Sequence, residues 1–79
     1  MISDRLRQVI LRELHLTDSP IGEATVASDV PGWDSLTHVR ILIAVENEFG
    51  IRIRPLEAIR LKTVGDLQRL IDSKTTRHA

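Results

Sequence analysis

The residues of this chain whose types and spacing could carry chemistry are Trp33-Asp34-Ser35-Leu36-Thr37-His38. A hydroxyl, a carboxylate and an imidazole fall together, and His38 stands three residues after Ser35, within reach across one helical turn. Three chemistries compete there. Ser35 or Asp34 could cap a helix, because short oxygen-bearing side chains satisfy its first backbone N–H groups. Ser35 could be a nucleophile served by His38. Ser35 could also be an attachment point: a hydroxyl in the first helical turn faces unpaired N–H groups and the positive dipole end, a favourable field for a phosphodiester.

The nucleophile reading is the weakest. "WDSL" is faintly similar to the "GDSL" motif of one esterase family, but no G-x-S-x-G elbow and no preceding strand are present. No second loop offers an oxyanion hole, and 79 residues are too few to enclose a substrate. His15, His38 and His78 are scattered without acidic clusters, a poor metal site, and read as ordinary surface histidines.

The elements that must position Ser35 follow from periodicity. Residues 3–14 predict a first helix, with Ser3 as cap, Asp4 at the positive end, and Ile2, Leu6, Val9, Ile10 and Leu14 on one stripe. Residues 15–34 predict a long connection broken by Pro20, Gly22, Pro31 and Gly32. So long a loop in so small a domain must be pinned or functional, and Leu16, Ile21, Val26, Val30 and Trp33 could pin it. Residues 35–49 predict the clearest helix, capped by Asp34 or Ser35 and ended by Gly50. "IRIRP" (51–55) is an extended connector. Pro55 opens a brief third helix through Leu61. Thr63-x-x-Asp66 is a capping-box start for a last helix whose stripe is Val64, Leu67, Leu70 and Ile71. "SKTTRHA" (73–79) is expected to fray, with 75–79 as a tail.

The second helix has two apolar arcs when its residues are placed at about 100° intervals. Ile41, Leu42, Val45 and Phe49 form one, and Leu36, Val39 and Ile43 the other. Ser35 and Glu46 lie between them. A small bundle needs one arc for its core, so the second either is a contact surface beginning beside Ser35 or is buried because the helix is central. Arg40 and Asn47 flank it and tilt the reading toward an exposed rim.

Composition sets the limits. One small all-α domain spanning 1–79 is expected, a four-helix bundle of three main helices and one short one, held by aliphatic packing. Cysteine is absent, so neither disulfides nor thiolate chemistry are available from the chain. The formal net charge is zero but uneven: acids outnumber bases up to Asp34, and bases prevail from Ser35 onward. That asymmetry suits either an acidic partner or a plain solvated surface. Trp33 and Phe49 are the only aromatics, which argues against nucleic-acid binding by base stacking. No apolar run approaches membrane-spanning length, and no signal peptide is visible. A soluble, cytoplasmic monomer with no membrane insertion is the expectation.

"GWDSLTHVRILIAVENEFGIRI" resembles the central segment of acyl carrier proteins and their aminoacyl or peptidyl carrier relatives. The likeness lies in Asp-Ser-Leu at the start of the second helix, the apolar helix ending in Glu-x-Glu-Phe, and the Thr63-Val64 start of the last helix. Length, long first loop and short third helix extend it over nearly the whole chain. The resemblance implies 4′-phosphopantetheine on Ser35, taken from coenzyme A by a phosphopantetheinyl transferase that contacts Asp34 and Leu36. The arm's thiol would hold a cargo as a thioester, making the chain a carrier and not an enzyme. It further implies partner contacts by Val39, Ile43 and Glu46 on the second helix, and by Leu56, Ile59 and Arg60 on the third. Arg40 and Asn47 would border that surface.

The chain departs from the family in charge. Housekeeping fatty-acid carriers are strongly acidic, with Glu and Asp along the recognition helix. Here Arg40 stands where an acid is usual, and Arg52, Arg54, Arg60 and Lys62 make the next segment basic. Glu46 and Glu48 alone keep the acidic character. Trp33 stands where many fatty-acid carriers have a small residue. The expected role is therefore a specialised carrier for a dedicated ligase or synthase and its downstream acyl-processing enzymes, in a secondary-metabolite, modified-lipid or envelope pathway. The alternative is an unmodified helical interaction module using the Leu36, Val39 and Ile43 face.

Overall fold

The computed structural model describes residues 2–17 and 20–75. Four helices follow in order: α1 (Asp4–Leu14), α2 (Ser35–Phe49), α3 (Pro55–Ala58) and α4 (Val64–Thr75), with a 3-10 turn, Ala27–Asp29, between α1 and α2. No strand occurs among the described residues. The all-α reading with one short helix holds.

α1 begins where Ser3 Oγ accepts from the Leu6 N–H at 3.2 Å. It buries Leu6, Val9, Ile10, Leu11 and Leu14, adding Leu11 to the predicted stripe while Ile2 is only half-buried, and packs against α2. It ends at His15, whose φ of 58° is left-handed. The Leu16 N–H then reaches back to the Leu11 carbonyl at 3.0 Å, closing the helix without the usual glycine.

α2 contributes Ile41 and Val45 to the centre, both fully buried, with Leu42 and Phe49 packed at its margin. Gly50 supplies the left-handed turn that ends it (φ 65°), a conformation glycine adopts without a Cβ penalty. Arg5 braces this end. Its guanidinium donates to the Glu48 side chain at 2.8 Å and to the Glu48 carbonyl at 2.7 Å, and it lies over the Phe49 ring.

The long connection is pinned as its apolar residues predicted. Ile21 and Val30 are buried in the core, Leu16 and Trp33 pack against it, and Val26 is half-buried. A second device was not foreseen. The Val64 N–H donates to the Thr25 carbonyl and the Gly65 N–H to the Glu23 carbonyl, each at 2.9 Å. The loop thus takes up two donors that the start of α4 leaves without an intrahelical partner. A Cβ on Gly65 would lie 2.9 Å from the Glu23 carbonyl oxygen, so only glycine allows this approach.

Two predicted boundaries move. The third helix stops at Ala58 instead of Leu61. There the chain tightens into i→i+3 bonds, Arg60 N–H to Glu57 and Leu61 N–H to Ala58, and Leu61 packs against the core. The fraying expected from Ser73 does not begin there, because α4 runs through Thr75. Ser73 and Thr75 hydroxyls donate to the Leu70 and Ile71 carbonyls, and Lys74 pairs with Glu57 of α3 at 3.0 Å. The remainder of the predicted tail, 76–79, lies outside the described residues, as does His78. The predicted capping box forms: Asp66 N–H donates to Thr63 Oγ1, and Thr63 N–H to Asp66 Oδ2, both at 3.1 Å. Gln68, buried within the α4 stripe, accepts the Ser3 N–H at 2.8 Å and ties α4 to the start of α1.

Candidate functional site

Asp34 and Ser35 divide the roles that sequence left open between them. Asp34 is the residue before the helix, with extended backbone, and its Oδ1 accepts the Thr37 N–H at 2.9 Å. Ser35 is the first helical residue and is exposed. Its hydroxyl has no hydrogen-bond partner among the described residues, so capping does not occupy it. The Asp34 carboxyl is held below the usual aspartate range, first by the Thr37 N–H, then by the Thr37 hydroxyl, with a smaller contribution from the Leu36 N–H. It stays ionised beside the serine at neutral pH.

His38 does not serve Ser35. Its Nδ1 accepts the Trp33 indole N–H at 3.1 Å, and the two rings lie 6.1 Å apart, tilted by 31°. The imidazole is half-buried, which corrects its reading as an ordinary surface histidine. The nucleophile reading loses its base, because the ring's accepting nitrogen is engaged by the indole N–H.

Trp33 and His38 have space on two sides. An open, mainly apolar groove runs beside Ser35 between the turn residues Ala27 and Ser28 and the α2 residue Val39. A smaller apolar cavity lies behind, toward Thr25, Leu61, Val64 and Leu67. Trp33, His38 and Ala27 border both.

The second apolar arc of α2 is exposed. Leu36, Val39 and Ile43 are 61%, 52% and 51% accessible, and Leu56 and Ile59 are 71% and 74% accessible on the neighbouring segment. Arg40, Asn47 and Arg60 are exposed beside them. Ile59 and Arg60 follow α3 instead of belonging to it, since Ile59 is its C-terminal cap.

The two glutamates of α2 turn to internal work. Glu46 Oε2 accepts the Ile53 N–H at 2.7 Å and fastens the extended connector to the helix. Glu48 pairs with Arg5 at 2.8 Å and approaches Arg12 at 4.0 Å; Arg5 holds its carboxyl below the usual glutamate range. Spacing on α2 could not show this, because both donors, the Ile53 N–H and Arg5, lie outside α2. Trp33 and His38, five residues apart across a helix start, carried no periodic signal of pairing either.

Residues 4–71 match the profile of the family described as phosphopantetheine attachment site. The chain belongs to this family of acyl carrier proteins. It is 32% identical over 72 residues to an acyl carrier protein of Wolinella succinogenes, covering 91% of this chain and 95% of the relative. It is 34% identical over 74 residues to one of Caulobacter vibrioides, covering 94% and 95%. Its fold is similar to that of a holo acyl carrier protein from Geobacter metallireducens, with a TM-score of 0.87, 31% identity, and coverage of 94% of this chain and 85% of that one. An acyl carrier protein is a carrier and not an enzyme, and its covalent group is 4′-phosphopantetheine. Members of the family work with a phosphopantetheinyl transferase and with biosynthetic enzymes. No helix among the described residues is long and apolar enough to cross a membrane.

The site suits such a group. An exposed hydroxyl stands at the positive end of a helix spanning Ser35–Phe49, where a phosphodiester is favoured, and an open groove adjoins it.

Proposed function

We propose that Ser35 is the attachment residue and that the protein is a specialised carrier in the cytoplasm. The observation that carries the attachment is the division of labour at the helix start: Asp34 caps α2, and the neighbouring hydroxyl is left exposed and unengaged. In the transferase reaction the Ser35 oxygen bonds to the β-phosphorus of coenzyme A as the pyrophosphate bond breaks. Adenosine 3′,5′-bisphosphate leaves, and the serine proton passes to a base of the transferase. When bound, the group supplies a thiol for thioester-linked cargo that this cysteine-free chain lacks.

The specialised role rests on the partner face. Leu36, Val39 and Ile43 on α2 and Leu56 and Ile59 on the following segment are exposed apolar residues, and Arg40 and Arg60, exposed in the same segments, have no ion pair among the described residues. Of the two acids of α2, Glu48 is paired with Arg5, and Glu46 directs its carboxylate to the Ile53 N–H. A loading ligase or synthase with an acidic rim around an apolar pocket complements this face. Enzymes that dock strongly acidic carriers through basic patches do not, because facing like charges disfavour association.

Two measurements test the proposal. Intact mass after incubation with coenzyme A and a broad-specificity transferase gains one phosphopantetheinyl group in the native chain and none in Ser35→Ala. Addition that survives the substitution places the arm elsewhere. Arg40→Glu improves exchange with fatty-acid synthase enzymes by roughly several-fold at low salt, an advantage that shrinks as salt screens it. Efficient exchange by the unaltered protein contradicts the specialised role.

A further inference from the structure

We infer that Trp33, held in place by His38, is a positioning surface for the phosphopantetheine arm; the inference rests on Ser35 as the attachment residue. Ser35 itself lines the groove bounded by Ala27, Ser28, Trp33, His38 and Val39, so an arm leaving its oxygen starts inside that groove. The tether selects the occupant. Any contact between arm and wall is intramolecular and forms at a high effective concentration.

The wall has the chemistry of the arm's first segment. Next to its phosphate the arm carries a carbon with two methyl groups, followed by a hydroxyl and two amides. Trp33, Ala27 and Val39 present apolar surface to such methyl groups, and Ser28 is a small polar neighbour for the hydroxyl or the first amide. An indole is a strong apolar platform only if its N–H is satisfied elsewhere. Here the N–H is given to His38 Nδ1 at 3.1 Å. The remaining contacts also fix the ring, since Trp33 packs against the core cluster behind it. A ring already immobilised loses little further freedom when the arm settles on it. The same pair separates the groove from the cavity toward Leu61 and Leu67, which directs the arm along the surface.

The test uses loaded protein, with loading established by intact mass before any contact is measured. Trp33 is the only tryptophan, so its signals are unambiguous. In the loaded native chain the arm's geminal methyl protons are displaced upfield by the indole ring and show cross-relaxation to it, and quenching of Trp33 fluorescence by acrylamide falls on loading. In Trp33→Leu the methyl shifts return to those of free phosphopantetheine. In His38→Ala, with Trp33 still present, the displacement shrinks and the quenching protection is lost. In His38→Gln, whose amide oxygen can still accept the indole N–H, both are largely restored, and far-UV dichroism checks that each variant remains helical. Methyl shifts equal to those of the free group in loaded native protein overturn the inference and leave Ser35 as the attachment residue. Contacts unchanged in His38→Ala overturn the role given to His38. Failure to load at all overturns the attachment proposal instead.

Discussion

The Thr37 N–H lies 2.9 Å from Asp34 Oδ1, and that bond is what leaves the next residue chemically available. Had the serine taken the cap, its hydroxyl would face inward along the helix start and away from a transferase. The carboxylate of Asp34 has two separable properties: its oxygen caps, and its charge stands beside the hydroxyl proposed for attachment. Asparagine caps as well as aspartate, whereas alanine does not. Asp34→Asn is therefore expected to keep the melting temperature near native while slowing arm transfer, and Asp34→Ala to lower both. Thermal denaturation together with transfer rates distinguishes the two, and equal melting of all three proteins would show that the cap contributes nothing. Trp33 makes a different point. Its residue type was legible as a departure from many carriers, but its bond to His38 depends on where the chain turns before α2.

Among the elements, α2 shows periodicity working well and reaching its limit. The two arcs were readable from spacing, and the arc of Ile41 and Val45 is the buried one. Spacing could not choose between an exposed and a buried second arc, because that depends on whether another element covers it. α1 covers one side, and the connector and α3 leave the other open, so Leu36, Val39 and Ile43 stay exposed. The long loop shows the converse. Pro20, Gly22, Pro31 and Gly32 marked it as irregular, yet it is held by backbone bonds to Val64 and Gly65 on a helix forty residues away. Gly65 carried no signal in the sequence. It is the position where the backbone of Glu23 approaches too closely for a side chain. Gly65→Ala is expected to destabilise the fold by about 1–3 kcal/mol, the usual cost of forcing extra atoms into a packed site, and to raise amide exchange in the loop around Glu23 and Thr25. Denaturant unfolding and hydrogen exchange check this; an unchanged midpoint would mean that the loop yields freely.

Among the described residues, four carboxylates secure element ends: Asp34, Glu57 and Asp66 at the starts of α2, α3 and α4, and Glu48 from the end of α2 to Arg5 of α1. The Thr37 N–H lowers Asp34, the Arg5 side chain lowers Glu48, the Arg54 N–H lowers Glu57, and the Lys62 N–H lowers Asp66. All four shifts are downward, so the folded chain binds fewer protons than the unfolded chain in acid. Their stabilisation is complete above the ordinary values of 3.8 for Asp34 and Asp66 and 4.5 for Glu48 and Glu57, and is lost as pH falls through the lower folded values. The urea midpoint is expected to be level from neutral pH to about 5 and to decline below about 4. The groups lie at the surface, so the decline is modest and salt weakens it. A midpoint unaffected by pH down to the acid limit of folded protein would contradict these bonds. Glu48 is neutralised by Arg5, whereas Glu46 gives its carboxylate to the Ile53 N–H and keeps its charge.

Local signals were enough for the existence of the four helices, the Ser3, Thr63 and Gly50 caps, and most of the core stripes, although Leu11 was missed and Leu70 of the α4 stripe is only half-buried. Capping, glycine and proline chemistry, and helical period act between residues close in the chain. The open second arc, the Trp33–His38 wall, the inward use of Glu46 and Glu48, the shortened α3 and the need for glycine at position 65 came from the packed molecule. Each is a contact, or the lack of one, between segments distant in sequence or differently turned. Such contacts are set by how the helices pack on one core, and no window of neighbouring residues contains that information.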